Sequence, residues 1–345
     1  MTPGCRRNGI GFGAGRHPMS EEQVRQLSIE EWEIVDYCPV CTERADGFQR
    51  FEQIVDQGIQ LAYVICAGCG LVMQTPRPTK ESLDIYYREA YRLQVQGVEG
   101  PTDKDLRVQA GRARFLAKLI RDNLDEVGAH LDIGSSSGAL LRAIRGSFDC
   151  ESIGIEPGET YRQYSQDTGL EVYPSLDALP DDWRGKFDLI TLIHVLEHLH
   201  DPVGYLRKLW MDWLRPGGWL LIEVPNLLGH QALEFSHLYA FTPETIGETL
   251  RRSGFRVRVE KVHGEPRSPL LPLYVTMLAT LGDESILRGG SQLNVDIIRR
   301  KRRRANLKRS FMTRFLPWIT WKRLPAREGL PMQEGSEGQG SEEPW

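Results

Sequence analysis

No stretch of this sequence is apolar for long enough to cross a bilayer. The longest run, Leu270 to Leu281, is too short and carries Pro272. The amino terminus has basic residues but lacks the apolar core of a secretory signal, and no repeat at solenoid periods is visible. Cysteine is sparse, six in 345 residues. Neither sign of charge dominates: 43 basic residues stand against 47 acidic ones, a net charge of −4. That balance decides nothing about nucleic acid, because the charge is unevenly spread. These absences leave a cytoplasmic protein as the expectation. With 40% hydrophobic and 26% charged residues, the chain has ample core for one large domain and a small one.

Four of the six cysteines form two matched pairs, Cys38-Pro-Val-Cys41 and Cys66-Ala-Gly-Cys69, with 24 residues between them. Each pair makes a knuckle whose thiolates converge, and two knuckles supply the four sulfurs of a structural, tetrahedral Zn2+ site. Redox dithiols or buried free thiols do not explain two matched pairs. The spacer is slightly long, and the alternation from Phe51 to Val64 predicts a strand pair that absorbs it.

The chain is organised around Ala129-His-Leu-Asp-Ile-Gly-Ser-Ser-Ser-Gly-Ala-Leu-Leu141, read with Ser152-Ile-Gly-Ile-Glu156. A short apolar run ends at Asp132 and Gly134, small residues follow through Gly138, and helix formers resume at Ala139. That is a strand, a tight turn and a helix, and the next apolar strand ends on an acid, Glu156. An acid there can accept hydrogen bonds from both hydroxyls of a ribose. The dinucleotide fingerprint finds one glycine in three, because Ser136 and Ala139 replace the others. The acid-x-Gly-x-Gly-x-Gly pattern of S-adenosylmethionine (SAM) sites is met by Asp132, Gly134 and Gly138, with Ser136 in place of the middle glycine. Here the sequence resembles the class I SAM-dependent methyltransferases, over about residues 125–280. The zinc knuckles add a similarity to deoxysugar C-methyltransferases and quinone-type methyltransferases. The resemblance implies that Asp132 holds the methionine end of SAM, that Gly134, Ser135, Ser136 and Gly138 line it, and that Glu156 holds the ribose.

Strands are expected at about 129–133, 152–156, 170–173, 187–193, 219–224 and 255–260, with a seventh at 273–277. Helices lie between most of them, including 202–214, expected to be stopped by Arg215-Pro-Gly-Gly218, and one opening at Thr242-Pro243-Glu244. Such alternation predicts an α/β fold with a parallel, doubly wound Rossmann-like sheet. The resemblance implies seven strands, the last inserted antiparallel between the fifth and sixth. The expected organisation is a disordered extension at 1–30, where Met19 is an alternative start, and a zinc-ribbon-like module at 31–80. A helical connector at 81–125 and a SAM-binding catalytic domain at 126–282 follow, then a basic and aromatic segment at 283–325 and a disordered acidic tail at 326–345.

His194-Val-Leu-Glu-His198 matches H-x-x-E-H, but it starts at a strand end and is cut short by Asp201-Pro202, so protease chemistry is not expected. By resemblance, His194 lies near the reacting methyl and His198 is structural. His237, on the loop after the fifth strand, is the candidate general base, with an ordinary exposed or capping histidine as the alternative. The related C-methyltransferases have Glu-His-x-x-Tyr at this place; Ser236 and Ala240 replace the glutamate and tyrosine here. Tyr86, Tyr87 and Tyr91 either cover the acceptor or pack in the core.

The expected function is SAM-dependent methylation of a sugar oxygen or carbon on a nucleotide-, lipid- or polysaccharide-linked glycan, an acceptor class that rests on the resemblance alone. Two alternatives stay open: methylation of a quinone or other small molecule, and a non-catalytic module that senses SAM. Residues 299–309 hold eight basic residues, and Phe311, Phe315, Trp318 and Trp321 follow. This segment, 299–323, is read as a solvated helix or as a peripheral contact with an anionic membrane at its inner face. Nucleic acid is not the expected partner, since no RNA-binding fold accompanies the basic run.

Overall fold

In the computed structural model, which describes residues 32–56, 58–89, 100–230, 233–283 and 294–323, the first described element is a short strand β1 (Trp32–Glu33). A hairpin of β2 (Phe48–Asp56) and β3 (Ile59–Cys66) follows, then β4 (Val72–Gln74) and β5 (Arg77–Pro78). The hairpin is the alternating run expected between the cysteine pairs. Helices α1 (Lys80–Glu89) and α2 (Asp103–Arg121) lead into β6 (Ala129–Ile133), α3 (Ala139–Phe148), β7 (Glu151–Ile155), α4 (Glu159–Asp167) and β8 (Glu171–Tyr173). Next come β9 (Phe187–Ile193), α5 (Pro202–Asp212), β10 (Leu214–Pro225), β11 (Tyr239–Ala240), α6 (Pro243–Arg252), β12 (Phe255–His263) and β13 (Tyr274–Leu281). The chain closes on α7 (Val295–Phe315) and α8 (Pro317–Thr320). The extension expected at 1–30, the tail at 326–345 and Tyr91 lie outside the described residues.

The central sheet runs β12-β13-β10-β9-β6-β7-β8. Pairing is parallel from β10 to β8, and β13 is antiparallel to both β10 and β12. This is the seven-stranded α/β architecture that the resemblance implied, with the last strand inserted beside the fifth. One boundary moves: the helix expected over 202–214 stops at Asp212, and β10 begins at Leu214, which pairs with Phe187. The register then shifts before Trp219, so Arg215-Pro-Gly-Gly218 forms a bulge instead of a helix stop. Gly217, at φ +78°, takes a backbone conformation that side chains disfavour.

Period-two patterning sets the layers. Leu189 and Leu221 pack with α2 and α3 on one face, through Leu116, Ile120, Leu140 and Ile144. Ile190, Leu192 and Ile222 join the core on the other face, which also holds Leu206 of α5 and Ile246 and Leu250 of α6. Both helix starts use side-chain caps: Thr102 accepts from the Asp105 amide, and Thr242 from the Thr245 amide.

The module with the four cysteines is not a separate bead. Its sheet has the order β11-β4-β3-β2, so a strand that follows β10 by fourteen residues forms its edge, Tyr239 pairing with Met73 and Ala240 with Val72. Leu61, Ile65, Leu71, Leu233, Phe235 and Leu238 belong to the same buried cluster as Ile190 and Ile222. Tyr86, whose ring lies 5.1 Å from Phe235, packs in this core, which decides between the two roles expected for it. With one core shared, the cysteine module and the α/β sheet should unfold together in a single urea transition. Phe235→Ala should lower its stability by about 3–5 kcal/mol; two separated transitions would contradict the shared core.

Candidate active site and metal-ligating cluster

The turn between β6 and α3 is held by its own backbone and by α2. Gly134 and Ser135 donate their amides to the Ile155 carbonyl, at 2.8 and 3.0 Å. Gly134 sits at φ +75°, and a Cβ there would come within 2.6 Å of Val195 Cγ2, so the turn and the start of the His194 segment touch only because this residue is glycine. Ser136 takes φ +50°, the left-handed conformation that explains why the position usually favours glycine. Its hydroxyl accepts from Gln109 Nε2 at 3.1 Å, and Gln109 Oε1 accepts from the Ser137 amide at 3.2 Å. Ser135 turns its hydroxyl toward Gly154 of β7, whose Cβ would meet it at 2.6 Å. The Glu156 carboxylate spans the turn: Oε2 accepts from the Ser136 amide at 2.8 Å and Oε1 from the Gly158 amide at 2.9 Å. Each oxygen keeps a second lone pair for a ligand hydroxyl.

Asp132 is buried at the carboxyl end of β6 and accepts from Thr191 Oγ1 at 2.6 Å. Thr191 Oγ1 in turn lies 2.9 Å from His130 Nε2, and His130 Nδ1 lies 3.2 Å from Ser152 Oγ. Burial pushes the Asp132 carboxyl up to about 7, against the Thr191 hydrogen bond and with the Glu156 charge adding to the rise. Burial also pulls His130 down to about 3, so this imidazole is neutral. A carboxyl buried at such cost suits a cationic ligand.

His194 opens the segment after β9 at φ +56°, a strained backbone for a non-glycine residue. Its ring lies between two fully buried acids, with Nδ1 3.4 Å from Glu197 Oε1 and Nε2 3.3 Å from Glu223 Oε1. The edge of the Tyr274 ring packs at 5.2 Å. Glu223 also faces Arg112 Nε at 2.8 Å and accepts from Thr276 Oγ1 at 2.8 Å, with His263 Nε2 at 3.3 Å. Burial opposes its charge, but His194, His263 and Arg112 outweigh that and hold the carboxyl well below its usual range. Glu197 follows the same balance: burial raises it, while His194, His198 and His237 bring it down to about 2. Among the described residues, neither Glu197 oxygen receives an aligned hydrogen bond. His198 is half-buried, is pulled down to about 4 by its desolvation, and has Nδ1 2.8 Å from the Ser236 carbonyl.

His237 lies on the loop that joins β10 to β11, its Nε2 2.7 Å from Glu234 Oε1 and its ring 4.9 Å from that of His198. It lines a small cavity with Pro225, Leu227, His230, Leu233 and Tyr239. It is therefore buried rather than an exposed histidine, at 8% exposure. The cysteine module fixes this loop: Tyr63 of β3 donates to the carbonyls of Glu234 at 2.8 Å and His237 at 3.1 Å. The Phe235 amide donates to Asp56 at 2.8 Å, and the Leu238 amide to the Glu197 carbonyl at 2.9 Å. The Tyr239 hydroxyl donates to the His200 carbonyl at 2.8 Å and accepts from Arg77 at 2.5 Å.

Cys38, Cys41, Cys66 and Cys69 bring their sulfurs within 4.8 Å of one another, with Cys38 to Cys69 at 3.6 Å and Cys41 to Cys66 at 3.4 Å. Those spacings are far longer than a disulfide and near the ~3.8 Å edge of a tetrahedron with metal–sulfur bonds of ~2.3 Å. Hydrogen bonds among the four lower the Cys41 and Cys66 thiols and raise those of Cys38 and Cys69. The set fits zinc.

Sequence reasoning named Asp132, Glu156, His194 and His237 and missed their partners. Gln109, Arg112, Glu223, His263 and Tyr274 lie on elements far apart in the chain, and no local motif marks them. Glu234 was legible as an acid three residues before His237. It supplies the carboxylate that the resemblance sought at position 236.

Residues 105–261 match the profile of a family described as a methyltransferase domain. Over 102 residues the chain is 28% identical to a ubiquinone biosynthesis O-methyltransferase of Shewanella pealeana, covering 28% of this chain and 43% of that protein. Over 101 residues it is 35% identical to a tRNA U34 carboxymethyltransferase of Desulforapulum autotrophicum, covering 27% and 30% respectively. The matched stretch thus spans less than half the length of these curated relatives. The fold is similar to that of the Burkholderia thailandensis 1,6-didemethyltoxoflavin-N1-methyltransferase, with a TM-score of 0.50 and 17% identity over 68% of this chain and all of that one.

The raised Asp132 carboxyl has a signed consequence for stability. Its folded value of about 7 exceeds the ordinary 3.8, so burial costs nothing below the lower value. The cost grows as pH rises between the two, approaching about 4 kcal/mol above the upper one. Asp132→Asn should therefore be more stable than the parent at pH 8, with a gap that narrows toward pH 5 in urea melts. A gap independent of pH would show that Asp132 is not the group responsible.

Proposed function

We propose that this chain, whose residues 105–261 match a methyltransferase-domain family, is a class I SAM-dependent methyltransferase and transfers the methyl group of SAM to a hydroxyl-bearing acceptor. Zinc at Cys38, Cys41, Cys66 and Cys69 is proposed as a structural ion. The observation that carries the reading is His237 paired with Glu234 at 2.7 Å, on a loop at the carboxyl end of the parallel strands. A carboxylate that orients an imidazole beside a small cavity is the arrangement of a general base. When bound, SAM supplies a methyl group made electrophilic by its sulfonium. Asp132 would meet the ammonium of the methionine end as a carboxylate, the 134–138 turn would line it, and Glu156 would accept from the ribose hydroxyls. His194, fixed between Glu197 and Glu223, would bound the acceptor side and exclude water. His237 would take the proton that the acceptor hydroxyl gives up as its oxygen bonds to carbon.

A sugar hydroxyl on a nucleotide-, lipid- or polysaccharide-linked glycan is the acceptor this reading favours. Support comes from the cysteine module packed on the acceptor loop, in keeping with the similarity to sugar methyltransferases that carry zinc knuckles. The second reading is a phenolic oxygen of a quinone precursor, favoured by the likeness to the ubiquinone O-methyltransferase. Turnover assays with sugar nucleotides beside catechols separate the two.

Calorimetry should record SAM binding and no NAD binding, and Glu156→Ala should weaken SAM by about 1–3 kcal/mol. Unchanged affinity would remove Glu156 from the cofactor site. Elemental analysis should return one zinc per chain. Both His237→Ala and zinc removal should abolish turnover, the second because Tyr63 and β4 no longer fix the loop, while His237→Ala leaves SAM affinity intact. Full activity in His237→Ala protein would eliminate it as the base.

A further inference from the structure

Helix α7 uses its two faces in opposite ways. On the inner face Val295, Ile298 and Arg302 are buried. Arg302 donates to the carbonyls of Leu227 and His230, and Arg309 donates to that of Gly229 at 2.8 Å. Arg299 donates to the Arg50 carbonyl at 2.6 Å, and Lys301 pairs with Glu244 at 2.6 Å. Four of the eight basic residues thus bond to the rest of the protein, although of these only Arg302 is buried, so the run is not solvated on every side. The inner face clamps residues 227–230, next to the cavity that His237 lines.

The outer face combines cations with large apolar groups. Leu307 is 73% exposed, Phe311 57% and Phe315 53%, and α8 adds Trp318 at 72% and Ile319 at 45%. Arg300, Arg303, Arg304, Lys308 and Arg314 are exposed among them. Their spacings of three and four place all of these α7 residues on one side of the helix. Arg314 lies over the Phe315 ring at 5.5 Å, and the tilted rings of Phe311 and Phe315 lie 5.0 Å apart. Leucine, isoleucine and phenylalanine gain by leaving water, while the guanidinium and ammonium groups beside them seek anions in the same plane. A second copy of this surface would set like charges against each other. A nucleic-acid backbone would satisfy the cations but give Leu307 and Ile319 nothing to bury against.

We infer that the outer face of α7 and α8 is a docking surface for an anionic lipid bilayer, lying in its interface with Leu307, Phe311, Phe315, Trp318 and Ile319 in the acyl boundary. Among the described residues no helix is long and apolar enough to cross a membrane, so the attachment is peripheral. Because Arg302 and Arg309 tie the same helix to the acceptor loop, the site is held near the lipid. Delivery of a lipid-carried acceptor from that side rests on the proposed methyltransferase reading; the binding itself does not.

Sedimentation of the full chain with phosphatidylglycerol–phosphatidylcholine vesicles, and with phosphatidylcholine alone, tests the surface. Binding should appear on the anionic vesicles and weaken with salt. Arg303→Gln/Arg304→Gln/Lys308→Gln should reduce partitioning about 100-fold, at about 1 kcal/mol for each cation. Phe311→Ser/Phe315→Ser/Trp318→Ser should abolish it while thermal melting and SAM affinity stay at parental values. Equal partitioning of parent and variants overturns the inference, as does a parent that ignores anionic vesicles. Self-association of the parent, removed by the aromatic variant and without vesicle binding, would assign the surface to a second copy instead.

Discussion

The pairing of Tyr239–Ala240 with Val72–Met73 is the contact on which the site depends. It makes the loop after β10 a strand of the cysteine module's sheet, and the hydroxyl of Tyr63 then clamps two carbonyls of that loop. A loop of this length outside a sheet would sample many conformations, and ordering it costs about 1–2 kcal/mol per residue. Here the strand pairing and the burial of Phe235 and Leu238 offset that cost before any ligand arrives. The module is thus a wall of the proposed acceptor site, and the proposed zinc would act on the proposed reaction only through the position of His237.

Charge buried beneath this wall sets the second constraint. Glu197 and Glu223 are both fully buried, and each is kept ionised by imidazole or guanidinium groups from other elements. Removing one partner from such a set leaves an uncompensated charge in a poorly polarisable interior. The left-handed backbone of His194 adds strain at the same point. Asp132 differs, because its one direct partner is a hydroxyl and its carboxyl stays poised near neutrality. Carboxylates with ample cationic partners build the site; the one without is suited to receive a cation.

The carboxyl-terminal helix shows how a single charge run serves two purposes. Arg302 is 5% exposed and donates to the carbonyls of Leu227 and His230, so its charge belongs to the fold. Arg303 and Arg304, the next two residues, are exposed and belong to the surface. Composition alone weighs these three residues equally. Helical geometry separates them by 100° steps.

Much of the architecture was legible along the chain. The apolar runs at 129–133 and 187–193, the Thr242-Pro243 helix start and the cysteine pairs are local signals, since each is read within one turn, strand or knuckle. For the same reason Asp132, Glu156, His194 and His237 stood out, as residues fixed by their place at strand ends. The bulge at Arg215–Gly218 was misread because Pro-Gly-Gly stops a helix and interrupts a strand equally well, and only the pairing of Leu214 with Phe187 chooses. Tertiary structure alone decided that Glu223 and Glu197 flank His194, that Gln109 and Arg112 reach the site from α2, and that Glu234 partners His237. It alone decided which arginines of α7 face inward. Some of these pairings join residues tens to more than a hundred positions apart, some depend on which face a helix buries, and the two that are three residues apart, His194 with Glu197 and His237 with Glu234, depend on how their own loop folds. Burial and charge compensation act through space, so they leave no periodicity in the sequence that specifies them.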